Sequence, residues 1–115
     1  MKYYNGFSPS QREHANDVQK EAIRNGIIPK PTDCRCVICG QDKGIRHYHN
    51  EDYSEDKILS DARVVCWRCH MMIHTRFRHP LSFAKYMIDV SLYKKCFPPV
   101  YVPNDWDILN EHYID

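Results

Sequence analysis

Residues 34–50 read CRCVICGQDKGIRHYHN and residues 66–74 read CWRCHMMIH. Together they hold two Cys-x-x-Cys pairs, Cys36 with Cys39 and Cys66 with Cys69. Four thiolates at this spacing suit one tetrahedral zinc ion, because each pair fits a tight turn that aims both sulfurs at the same point. A unit this small has little core, so the ion would supply folding free energy. Cys34 is a further candidate and could replace Cys36, although the x-x spacing favours Cys36. Cys96 reads as an apolar residue.

The same stretches carry histidines. His70 directly follows the last clip cysteine, and His74 lies four residues on, one helical turn away on the same face. His47 and His49 are two apart, so on a strand they share a face. The clip ties the two segments together and would bring four imidazoles close. Two histidines one turn apart can share a second metal ion, and His47 could complete its site.

Around these segments the chain reads as one α+β domain of 115 residues, with room for one modest core. Ser8-Pro9-Ser10-Gln11 has the pattern of a capping box with proline at the first helical position. The helix it opens runs to about Asn25, and Gly26 suits the position past its end. Pro29-Lys30-Pro31 breaks the chain before the cysteines. Residues 36–40 predict a zinc-knuckle turn, Ile45–His49 a strand, 50–60 a polar loop, and 62–65 a second strand. A helix is expected from Cys69 to about Phe77. Another begins at Pro80, with Leu81, Phe83, Ala84, Tyr86, Met87, Ile88, Val90, Leu92 and Tyr93 as its apolar positions, and Pro98-Pro99 ends it. The tail YVPNDWDILNEHYID predicts a short helix around Trp106–His112 that packs on the domain or on a second copy. Three parts follow: an N-terminal helix and linker (1–33), a zinc-bound ββα core (34–79), and a C-terminal helix and tail (80–115).

Net charge is +1, but it is unevenly spread. Residues 61–95 carry seven Lys/Arg and two Asp/Glu, hence +5, and residues 96–115 carry four acidic groups and no basic one, hence −4. A basic block beside the histidine motif fits phosphate contacts, as it also fits a solvated helix face. Arg68, Arg76 and Arg78 are its candidates for nucleic-acid contact. The N-terminal stretch MKYYNGFSPS has no apolar segment of the secretory kind. No apolar run approaches the ~18–20 residues of a membrane-spanning helix. The expectation is a cytoplasmic protein without membrane contact, where six cysteines ask for a metal rather than disulfides.

At this point the chain resembles the HNH, or ββα-metal, endonucleases, in their subgroup with a four-cysteine zinc clip. The resemblance covers residues 34–75. ARVVCWRCHMMIH (62–74) is similar to the family's second half, where a residue after the last cysteine and a histidine four further on bind the catalytic metal. That carries over to His70 and His74, a pairing most like the colicin-type nucleases. HNEDYS (49–54) is similar to the first half, which in many members reads HHxDY. Asp61 stands where the family has its middle asparagine, which orients the base through a loop contact.

The resemblance implies a zinc-stapled ββα-metal core and DNA phosphodiester hydrolysis with a second divalent ion (Mg2+, Mn2+, Ni2+ or Zn2+) beside the structural Zn2+. RNA stays open as a substrate. His49 would be the general base, suited to that role near pH 7, and Asp61 would orient it. One such domain reaches one strand, so double-strand cutting would call for a homodimer. Two positions depart from the pattern. Tyr48 stands where many members carry a metal ligand, and Glu51 or Asp52 could reach the ion instead. If His49 is a ligand, the base position falls on Asn50, which cannot accept a proton. Either His49 is the base, or the site retains only binding and the chain is a non-catalytic zinc module for nucleic acid or a protein partner. A redox or thiol-reactive protein is the third class, and it would bind no zinc tightly.

Overall fold

The computed structural model describes residues 1–102. Helix α1 spans Pro9–Arg24, strand β1 Arg46–His49, strand β2 Arg63–Cys66, helix α2 Trp67–Thr75 and helix α3 Pro80–Ser91. Single turns of 3-10 helix lie at Pro31–Asp33 and Glu55–Lys57. The fold is α+β, with three helices and one two-stranded antiparallel sheet among the described residues. The predicted tail helix around Trp106–His112 lies outside the described residues. No described helix is long and apolar enough to cross a membrane.

The cap of α1 forms as its sequence predicts. The Ser8 side chain accepts from the Gln11 backbone N–H, and the Gln11 side chain accepts from the Ser8 N–H. Two of the helix's orphan donors are thereby satisfied. At the other end Gly26 takes φ +72°, which a side chain would resist. Ala15 and Ala22 face inward, and so does the polar Gln19. Gln19 Nε2 donates to Asn50 Oδ1 at 2.8 Å and to the Ile58 carbonyl at 3.0 Å, which pins α1 to the loop between the strands.

The sheet pairs Arg46 with Cys66, His47 with Val65, Tyr48 with Val64 and His49 with Arg63. The second strand therefore sits one residue later than expected. Helix α2 starts two residues earlier than expected, at Trp67, because Cys66 acts as its N-cap. The Cys66 sulfur accepts from the Cys69 N–H at 3.4 Å. Strand thus passes into helix with no loop between, which fixes the first clip cysteine of the pair relative to the second.

The core joins the clip to α3 and the segment after it. Cys36, Val65, Cys66, Cys69, Met72, Tyr86 and Phe97 form one buried cluster. The rings of Tyr86 and Phe97 stack with centroids 5.5 Å apart. Val100 is also buried, and its carbonyl accepts from the Ile45 N–H at 2.6 Å. That approach requires Gly44: its φ is +72°, and a Cβ there would stand 2.5 Å from the Val100 oxygen. Helix α3 ends at Ser91, short of Pro98-Pro99, and Lys94 turns with φ +53°. Of its expected apolar positions, Tyr86 is buried and Phe83 and Val90 pack on the core, whereas Leu81, Met87, Ile88, Leu92 and Tyr93 are exposed.

Candidate metal centres

The four cysteines of the two pairs come together. The sulfurs of Cys36, Cys39, Cys66 and Cys69 all lie within 4.8 Å of one another, and Cys39 and Cys66 are 3.6 Å apart. Thiolates ~2.3 Å from one tetrahedral ion stand roughly 3.8 Å apart, so the donor set could hold a metal ion. The turn that presents the first pair closes with a Gly40 N–H to Cys36 carbonyl bond of 2.9 Å, and Gly40 has φ +82°. The second pair rides on the junction of β2 and α2. Cys34 is not part of the set; its sulfur points at the Lys30 carbonyl, 3.6 Å away. Cys96 is exposed rather than an apolar core residue, with its sulfur 3.8 Å from Gln41 Nε2.

The proton chemistry of this cluster is that of crowded thiols. Contacts with Cys36 and Cys39, then burial, push the Cys66 and Cys69 thiols up. Bonds from Cys39, Cys66 and Cys69 pull Cys36 down. Cys39 is raised by Cys36 but lowered by Cys66 and Cys69, and settles at about 6. Four thiolates cannot coexist here without a cation to offset their repulsion.

A second cluster lies one residue further along α2. Candidate ligand atoms of His49, His70 and His74 all lie within 4.8 Å of one another. His70 and His74 present their Nε2 atoms to each other at 2.9 Å. Two imidazole nitrogens on one tetrahedral ion would stand roughly 3.4 Å apart. His70 turns its other nitrogen, Nδ1, toward His47 Nδ1 at 3.4 Å. His47 is thus beside His70 rather than inside the three-nitrogen cluster. Burial is the chief reason that His70 drops to about 3, followed by the charges of His74 and His49. Burial and then the His49 charge take His74 down to about 4. Burial lowers His47 as well. Neutral imidazoles are the form that binds metal, so His70 and His74 have the protonation state in which they could hold an ion.

His49 is 6% exposed. Its Nε2 meets Glu51 Oε2 at 2.5 Å, and its buried Nδ1 has no hydrogen-bond partner among the described residues. Glu51 also accepts from the Tyr4 hydroxyl, from Asn5 Nδ2 at 3.2 Å and from Arg76 Nη2 at 2.7 Å. Its burial would raise its pKa, but the bonds from Tyr4, His49 and Asn5 and the Arg76 charge hold it at about 2. Glu51 is therefore an anion at neutral pH and can only accept. In the neutral form of the His49 ring the Glu51 carboxylate places the proton on Nε2, which leaves the lone pair on Nδ1. The Tyr4 hydroxyl, pushed up to about 12 by burial and the Glu51 bond, stays protonated. Tyr4 reaches the cluster from the N-terminal turn, its ring centroid 4.7 Å from that of His74.

The remaining predicted residues separate. Asp61 does not touch an imidazole. Its Oδ2 accepts from the backbone N–H groups of Glu51 and Asp52, each at 2.8 Å, so it shapes the loop that carries Glu51. Asp52 turns to the Ser54 N–H at 2.8 Å. Asn50 is buried, and its amide is spent on Gln19, the Ile58 carbonyl and the Asp52 carbonyl. Arg68 cannot meet a phosphate: it is 1% exposed and its guanidinium lies 5.0 Å from the Phe97 ring centroid. Helical geometry turns Arg68 into the core beside Cys69 while His70, two residues on, faces the sheet. Arg76 is held by Glu51, by Tyr4 and by the Ile73 carbonyl. Arg78 is exposed.

Tyr4 and Glu51 are the residues of this site with the least signal in the sequence. Glu51 stands out only as a carboxylate two residues after His49, and Tyr4 lies 45 residues before it. No protein-family model, curated protein or solved structure matches the chain.

Proposed function

We propose that the chain is a small metal-dependent endonuclease of the HNH kind that hydrolyses DNA phosphodiester bonds, with zinc in the cysteine clip. One observation carries the reading: His49 places a ring nitrogen within 4.8 Å of those of His70 and His74, Glu51 holds its Nε2, and its buried Nδ1 has no hydrogen-bond partner among the described residues. A carboxylate that fixes the tautomer and would stabilise the imidazolium is the arrangement a histidine base needs. His49 takes the proton of the attacking water. Glu51, rather than Asp61, orients it, and Asp61 acts one step back by holding the Glu51 backbone. His70 and His74 would hold a divalent ion, which supplies charge stabilisation for the phosphate and the leaving oxygen. Arg76 keeps Glu51 in place, and Arg78 contacts the strand.

A second reading has its own observation. His49 also groups with His70 and His74 as a set that could hold an ion, and carboxylate-bound histidines are common metal ligands. If His49 is a third ligand, the next residue is the committed amide of Asn50, and no base follows. The chain would then be a metal module that binds nucleic acid without cutting it.

The experiment that separates them pairs metal content with plasmid nicking. Wild-type protein is assayed on supercoiled plasmid with magnesium, manganese, nickel or zinc, beside His49→Ala. The nuclease reading expects nicking that His49→Ala abolishes while the variant keeps both metal equivalents. A variant that loses the second equivalent makes His49 a ligand. Wild-type protein that cuts with none of the metals overturns the nuclease.

A further inference from the structure

A cavity of about 360 Å³ opens between α1, β1 and the start of α2, away from Glu51 and Arg76. His47 and His70 are among its lining residues, so the cavity borders the candidate metal pair. Arg12 and Lys20 of α1 line it, and no carboxylate among the described residues does. Tyr48 and Tyr53 supply aromatic wall. These parts are held in place. The Tyr48 hydroxyl donates to the Pro29 carbonyl. Arg12 Nη1 donates to the Lys2 carbonyl at 2.6 Å, and its guanidinium lies 5.4 Å from the Tyr53 ring centroid. The Arg12 Nε–H is buried and has no hydrogen-bond partner among the described residues.

We propose that this cavity receives one unpaired nucleotide of a single DNA strand, so that the protein prefers single-stranded or locally unpaired DNA to perfect duplex. The size is that of a small-molecule pocket, which admits one extruded base and not a base pair. Cations beside aromatic rings are how sequence-tolerant single-strand sites hold backbone and base together, and taking a base out of the stack costs least where it is already unpaired. His70 lines the cavity and belongs to the candidate metal pair, so a nucleotide seated there sets its own phosphate next to the candidate ion. The inference rests on the nuclease reading for that last step alone; the preference for unpaired strand is a property of the cavity.

Fluorescence anisotropy tests it with a short labelled single-stranded DNA, its perfect duplex, and a duplex carrying one mismatch. The proteins are wild type, Lys20→Glu and Asn16→Trp, the last placing a large ring at the cavity mouth from an exposed position of α1. Circular dichroism melting confirms that both variants fold. Wild type is expected to bind the single strand and the mismatch at least about fivefold tighter than the duplex, and each variant is expected to lose that preference. Equal affinity for duplex, no measurable binding, or variants that bind the single strand as wild type does would overturn the proposal. Plasmid nicking by the same samples keeps the two readings apart. Nicking without the strand preference breaks the cavity proposal alone, and the preference without nicking breaks the nuclease reading alone.

Discussion

The cysteine cluster and the histidine cluster share the start of α2, yet they are built oppositely. Cys66 and Cys69 are buried on the face that meets Tyr86 and Phe97. His70 is the next residue after Cys69, about 100° further round the helix, and it faces the sheet edge with His74. The thiol cluster is closed and belongs to the core. The imidazole cluster is half open and ringed by Glu51, Arg76 and the Tyr4 hydroxyl. Structural metal sites are closed and catalytic ones keep a position for water or substrate. One helix therefore carries a closed donor set on one face and a half-open one on the next.

Removing a cysteine gives the largest expected effect. A structural zinc contributes ~10–16 kcal/mol of binding free energy near neutral pH, and a domain of this size has only ~5–15 kcal/mol of net stability. Cys69→Ala, or a strong chelator on the wild type, should abolish the cooperative thermal transition in circular dichroism. A variant that still melts cooperatively within roughly 5 °C of wild type would make the thiols ordinary core residues and end the contrast.

The histidines should respond to acid rather than to truncation. His70 and His74 are depressed to about 3 and about 4 in the folded chain, chiefly by burial, against ~6.5 when unfolded. Between about pH 6.5 and 4 the unfolded chain binds protons that the folded one refuses, so stability falls as pH falls through that window. Urea midpoints at pH 7.5 and 5, on protein with zinc in its cysteines and no metal on its histidines, should show this loss. The His70→Ala/His74→Ala pair should flatten it. Zinc release from protonated thiolates also destabilises in acid, but it would persist in the double variant. An unchanged pH slope would show that these imidazoles are better solvated than their packing indicates.

Asp61→Ala should cost less and act on one cluster only. Its carboxylate holds two backbone N–H groups of the loop, and hydrogen bonds to charged groups contribute about 1.5–3 kcal/mol each at most. A fall of roughly 5–10 °C in Tm is expected, together with weaker metal binding at the histidines and unchanged zinc content. Asp61→Asn keeps an acceptor oxygen and should recover part of the loss. If Asp61→Ala lowers zinc content instead, the loop supports both centres and they are not independent.

How far each cluster was legible in the sequence follows from how its residues are spaced. The Cys-x-x-Cys pairs, the His70–His74 turn and the Ser8 cap are local patterns, and the structure brings each of them together. What escaped notice depends on contacts between distant segments. Gln19 meets Asn50 across 31 residues, Glu51 meets Arg76 across 25, and Tyr4 meets Glu51 across 47. No periodicity records such pairings. Asp61 was visible as a candidate but not in its actual contact, because a carboxylate can serve a backbone as well as an imidazole. Arg68 misled for a related reason: it lies in a basic block, but its position between Cys66 and Cys69 commits it to the buried face.

The smallest expected effect lies outside both clusters and tests that distinction among the arginines. Arg78 is exposed just past α2, so Arg78→Ala should leave the melting temperature nearly unchanged, within the ~0.5 kcal/mol typical of surface sites. Its effect should appear in nucleic-acid binding as a modest loss and a salt-dependence slope smaller by about 1, the signature of one phosphate contact removed. Arg68→Ala should do the reverse. It takes a guanidinium from over the Phe97 ring and should lower thermal stability without altering the salt slope of whatever binding remains. Paired melts and salt titrations on the two variants decide the matter. If Arg78→Ala leaves the slope where it was, the positive charge of residues 61–95 is a solvated face, and any nucleic-acid contact would have to come from elsewhere, such as Arg12 and Lys20 of α1 beside the cavity.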